Sequence, residues 1–365
     1  MSMRWFGVVV AATAVALAGC TGSGSAPSAD ASKSPASAGV YAYLTVEFGD
    51  SWMETKSEMV VMDGAKEIGR SGPLFLTERP VFTTDGRYAF TMPTLGDKII
   101  GVSADGGETK SVPCEGCGDR QSDCHCRIVA PIGGSQIAWL DGDNHMVVAD
   151  LAAESPTPRR TDVTLPTVDG FLDKRVSPKL IAGTGGAALA AYPSESMSGD
   201  AVQPAYLVTL DDPPRRLDPG RPDSIDEAVF SPDGTRVALT GNQEFICATV
   251  TVVDVKSGKG ETARVSAAQG AKCDNHDVYI DSMWWDRDGT LNVTFDADDK
   301  NTAAKGGQSR LEGGRWVESG TGPDTEKRRL SAGTATIQSD RTLSVERDGE
   351  RIEIDTDVRY LTAAP

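Results

Sequence analysis

The chain has 365 residues, a formal net charge of −17, and no long run of Lys and Arg. Phosphate backbones are gripped by clustered cations, so this charge balance excludes nucleic acid as a partner. The length supplies ample core for one large all-β domain or two smaller domains.

The first segment carries Arg4, an apolar run from Trp5 through Ala18, and the small-residue ending Leu17-Ala18-Gly19-Cys20. The run is shorter than the roughly 20 residues a spanning helix needs, and its flanks are those of a cleaved leader. The segment resembles a bacterial lipoprotein signal with its lipobox. That resemblance implies cleavage of residues 1–19, lipid on Cys20, and a location on the extracytoplasmic face of the cell membrane. The acidic charge repels anionic headgroups, so the membrane is expected to be held through the acyl chains on Cys20 alone. Residues 20–39 are almost entirely Ser, Ala, Gly, Pro and Thr. They cannot bury a core and read as a flexible linker with a reach of roughly 20–25 Å.

Residues 40–365 change character. Short β-branched and aromatic runs recur at 40–48, 58–62, 88–91, 98–102, 137–140, 146–149, 205–210, 236–240, 248–255, 291–295, 342–346 and 351–355. Gly, Asp, Pro or Asn bound most of them, and sustained helical periodicity is scarce, so these are strands. Asp-Gly, a strong former of tight turns, occurs eight times. Three of these turns share a larger frame of strand, turn, strand: Pro80 to Phe90, Ala228 to Leu239, and Met283 to Val293. Weaker copies turn at Gly133-Gly134 and at Gly183 to Gly186.

The form Phe230-Ser231-Pro232-Asp233-Gly234-Thr235-Arg236-Val237-Ala238 resembles the WD40-like repeat of TolB-type propellers. The resemblance implies an all-β fold, a β-propeller of seven blades, each a four-stranded antiparallel sheet, with six or eight blades as alternatives. Units begin near 41, 79, 127, 178, 227, 279 and 330, a spacing of about 38–52 residues that suits four strands per blade. The first unit lacks a leading strand. The run at 358–362 is expected to pair with the N-terminal strands and close the ring, removing exposed sheet edges.

Seven cysteines are present, and lipid on Cys20 leaves six: Cys114, Cys117, Cys124, Cys126, Cys247 and Cys273. An even number in an exported chain reads as disulfides. Cys114, Cys117, Cys124 and Cys126 also have the ligand type and spacing of a tetrahedral zinc site, which stands as the alternative. His125, His145 and His276 lie in no recognisable catalytic frame. Asp141 to His145 and Asp296 to Asn301 offer oxygens to a metal such as calcium, yet turn chemistry explains the first and the second lacks a full calcium-loop spacing. Asp274, His276 and Asp277 read as a solvated loop. No cofactor is expected. Of the adjacent Trp284 and Trp285, one is expected in a core between blades and the other towards a neighbouring blade or the channel, because neighbouring strand residues point to opposite faces.

No Gly-x-Ser-x-Gly elbow and no phosphate-binding Gly-rich loop with Lys is present. No catalytic residue is assigned. The expected function is a surface-tethered, non-enzymatic module that binds an envelope protein or a small extracellular ligand. Long loops near 113–127, 193–204 and 299–310 are the expected contacts. The alternative is an extracellular carbohydrate-active hydrolase or lyase with channel carboxylates. A spacer or assembly factor of the envelope is a third reading. TolB proper carries a separate N-terminal domain where this chain has only a linker, which sets the chain apart from a TolB transport role.

Overall fold

The computed structural model describes residues 39–49, 55–75, 77–93, 97–115, 129–169, 175–192, 204–218, 225, 227–240, 249–264, 277–298, 307–320 and 324–365. The chain divides into two compact units, Met1–Ala36 and Ser37–Pro365, and the described residues all belong to the second. That unit is all-β: seven four-stranded antiparallel blades arranged as a propeller. Among the described residues no helix is long and apolar enough to cross a membrane.

Six blades are simple meanders, each starting at an inner strand: Val81–Phe82, Ala130–Gly133, Lys179–Thr184, Glu227–Phe230, Asp277–Trp285 and Asp324–Leu330. The first blade is built differently. Its inner strand is the C-terminal Val358–Ala363, followed outward by Val40–Glu47, Lys56–Asp63 and Lys66–Arg70. Tyr41 pairs with Ala363 and Thr45 with Val358, so the two chain ends close the ring as the sequence led us to expect. The last repeat begins at Asp324, several residues before its expected start.

Each meander sends its first and third turns to one face of the ring and its other connections to the opposite face. Hydrogen bonds link neighbouring blades along the tight-turn face. Asp85 N–H donates to Gly134 O at 3.3 Å, Gly186 N–H to Ile132 O at 2.9 Å, and Arg236 Nη2 to Gly289 O at 3.2 Å. In the Asp-Gly turns Gly86, Gly234 and Gly289 have φ of 71°, 68° and 79°, the left-handed region that favours glycine. Gly183 serves another purpose: a Cβ there would lie 1.7 Å from Pro131 O on the next inner strand, so only glycine lets these blades approach.

Neighbouring blades are joined by apolar side chains. Six separate clusters span the first and second, second and third, third and fourth, fourth and fifth, fifth and sixth, and seventh and first blades. Among the described residues no such cluster joins the sixth to the seventh. The sixth blade turns Met283, Val293 and Phe295 towards the fifth, and the seventh turns Ala335, Ile337 and Val345 towards the first. By alternation, their remaining faces meet each other. Those faces carry buried Ser282, Asn292 and Thr294 on one side and Thr336 and Ser344 on the other.

Candidate functional site

Two places in the ring gather polar chemistry: the face opposite the tight turns, and the axis.

Strand order puts Cys114, just after the outer strand of the second blade, on the face opposite the tight turns. His145 opens the strand His145–Asp150 at the same face. Of the expected site residues, Cys20, Cys117, Cys124, Cys126, Cys247, Cys273, His125, Asp274 and His276 lie outside the described residues. Cys114 directly follows the outer strand of the second blade, Thr109–Pro113, is 1% exposed, and donates its N–H to Asp97 O at 2.7 Å. Its sulfur is disulfide-bonded, to a partner outside the described residues. Asp277 opens the strand Asp277–Trp285. Asp296 and Asp298 end the strand Leu291–Asp298, so the first half of the Asp296 to Asn301 stretch, set aside above for lacking a full calcium-loop spacing, is strand. Residues 307–310, expected in a long loop, likewise belong to the strand Gly307–Glu312.

The Asp141 to His145 turn is described in full. Asp141, Asp143 and His145 bring one ligand atom each to within 4.8 Å of one another. Arg160 already occupies the space: its Nε lies 2.9 Å from Asp141 and its Nη2 3.0 Å from Asp143. Asp141 Oδ1 also accepts the N–H groups of Asp143 and His145, both at 2.9 Å. A guanidinium and turn amides use the oxygens that a cation would need, so the turn reading accounts for these residues.

The same face presents Phe48, 57% exposed, with the Arg341 guanidinium 5.0 Å from its ring centre. Asn144, Arg341 and Asp357 have φ of 62°, 66° and 57°, and all three lie in turns on this side. For Arg341 that conformation costs on the order of 1–3 kcal/mol. Its N–H donates to Gln338 O at 2.9 Å and its carbonyl accepts Val358 N–H at 3.0 Å, which fixes the strained turn against the closing strand. Sequence reasoning missed both Phe48 and Arg341. The aromatic at the end of a strand run was the only signal.

At the axis, Arg79, Ser282, Glu326 and Arg328 meet. Arg79 Nη1 donates to Glu326 Oε1 at 2.7 Å and to Ser282 Oγ at 2.8 Å. Arg328 Nη2 donates to Ser282 Oγ at 2.9 Å and also pairs with Glu326 Oε1. Arg79 stacks over Tyr360 at 5.0 Å and Arg328 over Trp284 at 3.8 Å. Coulombic attraction to Glu326 and Glu227 outweighs burial and raises the Arg79 pKa. For Arg328 burial wins, and its pKa is pushed down to about 10. Glu326 Oε1 therefore faces two guanidiniums and a hydroxyl. Removing one partner from such a buried pair costs on the order of 3–5 kcal/mol. The cluster thus fastens the sixth blade to the seventh, where no apolar cluster spans the joint among the described residues. Trp285 faces the fifth blade instead, its Nε1 donating to Val229 O at 3.1 Å.

No family model and no curated protein matches the chain. Solved structures do resemble it. The β-propeller domain of the Trilobed protease from Pyrococcus furiosus, described as having an open velcro topology, is 11% identical with a TM-score of 0.50, over 87% of this chain and 94% of that one. TolB from Acinetobacter baumannii is 13% identical with a TM-score of 0.45, over 90% of this chain and 67% of that one. The dihydro-heme d1 dehydrogenase NirN is 14% identical with a TM-score of 0.49 over 87% of this chain, which spans only 64% of its length. At these identities the likeness is one of fold, a propeller of the kind that hosts many unrelated functions.

Proposed function

We propose that the chain is a lipid-anchored, non-enzymatic recognition module on the extracytoplasmic face of the cell membrane, held through Cys20 and reaching an envelope protein. The observation that carries this reading is where the folded body begins. Gly39 donates its N–H to Asp63 Oδ1 at 3.2 Å and accepts Gly64 N–H at 3.2 Å, and Val40 O accepts Ala364 N–H at 2.9 Å. All of these lie on the tight-turn face. A tether arriving there leaves the opposite face, with its exposed Phe48, clear of the attachment point. Rigid scaffolds commonly present binding residues on their connections, and exposed aromatics beside Arg are frequent anchors of interfaces. In this reading the cysteines of the long connections form disulfides that stiffen the outward face, in keeping with an oxidising compartment and with the bonded Cys114 sulfur.

The test is site-specific photo-cross-linking on intact cells. A photoreactive residue replaces Phe48 on the outward face or Arg87 on the tight-turn face. The expected result is one reproducible protein adduct from position 48 and none from position 87, lost when Cys20→Ala releases the chain from the membrane. Equal labelling from both positions would overturn the proposed orientation. No adduct from either would overturn the protein-binding role.

A further inference from the structure

Among the described residues, five of the seven buried side-chain polar atoms without a hydrogen-bond partner belong to the sixth and seventh blades: those of Trp284, Thr294, Ser309, Trp316 and Arg328. Two of them sit together. Arg328 is 5% exposed and Trp284 7%, and the guanidinium carbon lies 3.8 Å from the indole centre. Arg328 Nη1 and Trp284 Nε1 are both donors and both unpaired. Leaving a buried donor unpaired is costly, more so for a charged group, and native interiors rarely tolerate it without an occupant.

The electrostatics indicate what kind of occupant fits. Glu326 spends one oxygen on Arg79, Ser282 and Arg328 together. Glu227 and Asp286 also favour the charged form of Arg328, while Arg79 opposes it, and burial still prevails. The guanidinium is thus under-compensated on the side of its free nitrogen. A water would accept the two hydrogen bonds but add no charge. An oxyanion would do both, and a guanidinium donates most strongly to a charged oxygen.

We propose that Arg328 and Trp284 form a receptor site for a carboxylate at the axis of the ring. It is distinct from the outward face argued above and independent of lipid anchoring. The carboxylate belongs either to a small solute or to the end of a partner chain inserted along the axis, and both present the same chemistry.

The test is thermal unfolding and calorimetric titration of the full chain with sodium acetate, with sodium chloride at equal ionic strength as reference. Parallel arms use a short peptide with a free C-terminal carboxylate and the same peptide amidated. A saturable rise in melting temperature with acetate identifies a small-solute site. A rise with the free-acid peptide alone identifies a chain end. Trp284→Phe keeps the ring under Arg328 and removes only the N–H, so it should fold and bind about tenfold more weakly. Arg328→Lys should abolish the response. Curves identical to chloride in every arm would overturn the proposal, as would a Trp284→Phe chain that binds like the wild type.

Discussion

Asp233 shows how much one turn residue does in this repeat. Its Oδ1 accepts Ser231 Oγ at 2.6 Å and Thr235 N–H at 3.1 Å, while Ser231 N–H donates back to Arg236 O at 2.9 Å. The Ser231 hydroxyl first, and the Thr235 amide and hydroxyl after it, hold the carboxyl down to about 2. Asp288 is lowered in the same way by Thr290. A folded-state pKa below the unfolded value of roughly 3.9 adds stability above that value, and the gain fades as pH falls towards the folded pKa. Asp233→Asn should therefore lower the urea midpoint at neutral pH, with the gap to wild type shrinking as pH drops from about 4 towards 2. A gap that stays constant with pH would show that the charge of Asp233 plays no part. These turns were legible because Ser, Pro, Asp, Gly and Thr each have a local reason to be there. Arg341 was not, since nothing in Asp340-Arg341-Thr342 announces a left-handed Arg; only its bonds to Gln338 and Val358 do.

Strands carry the next level of argument, and the closing strand is the sharpest case. Val358 and Leu361 are 1% and 0% exposed, and both belong to the apolar cluster between the seventh and first blades. Burying each is worth about 1.5–3 kcal/mol. Deleting residues 358–365 would also leave Val40–Glu47 as a bare inner edge. The truncated chain should melt many degrees lower, or lose cooperativity, by calorimetry; an unchanged transition would mean that the first blade stands without its inner strand. The run at 358–362 was visible as apolar alternation, and its pairing followed from the missing first strand of the opening repeat. What local pattern did not reveal was length. Asp277–Trp285 and Leu291–Asp298 extend past their apolar stretches because cross-strand pairs such as Asp277 with Asp298 continue the ladder.

At the scale of the ring, among the described residues, the joint between the sixth and seventh blades differs from the other six in having no apolar cluster across it. Ser282, Asn292 and Thr294 alternate with apolar neighbours, which in sequence looks like a solvent face. Only the folded ring shows that they are buried. The axis cluster was equally hidden, because Arg79, Ser282 and Glu326 come from three distant stretches of chain. Hydrogen exchange should find amides flanking this joint, in Leu291–Asp298 and Gly333–Gln338, opening before those of the apolar joints. Uniform protection around the ring would sink that expectation. The place where the chain enters the body bears on mechanics. Val40–Glu47 is hydrogen-bonded along both edges, to Lys56–Asp63 and to Val358–Ala363, and its first residue lies at the rim. A force transmitted through the N-terminal segment pulls along the axis of this strand, so both ladders are strained in shear, all rungs sharing the load, instead of being unzipped one at a time. A body loaded along this strand would yield last at its closure.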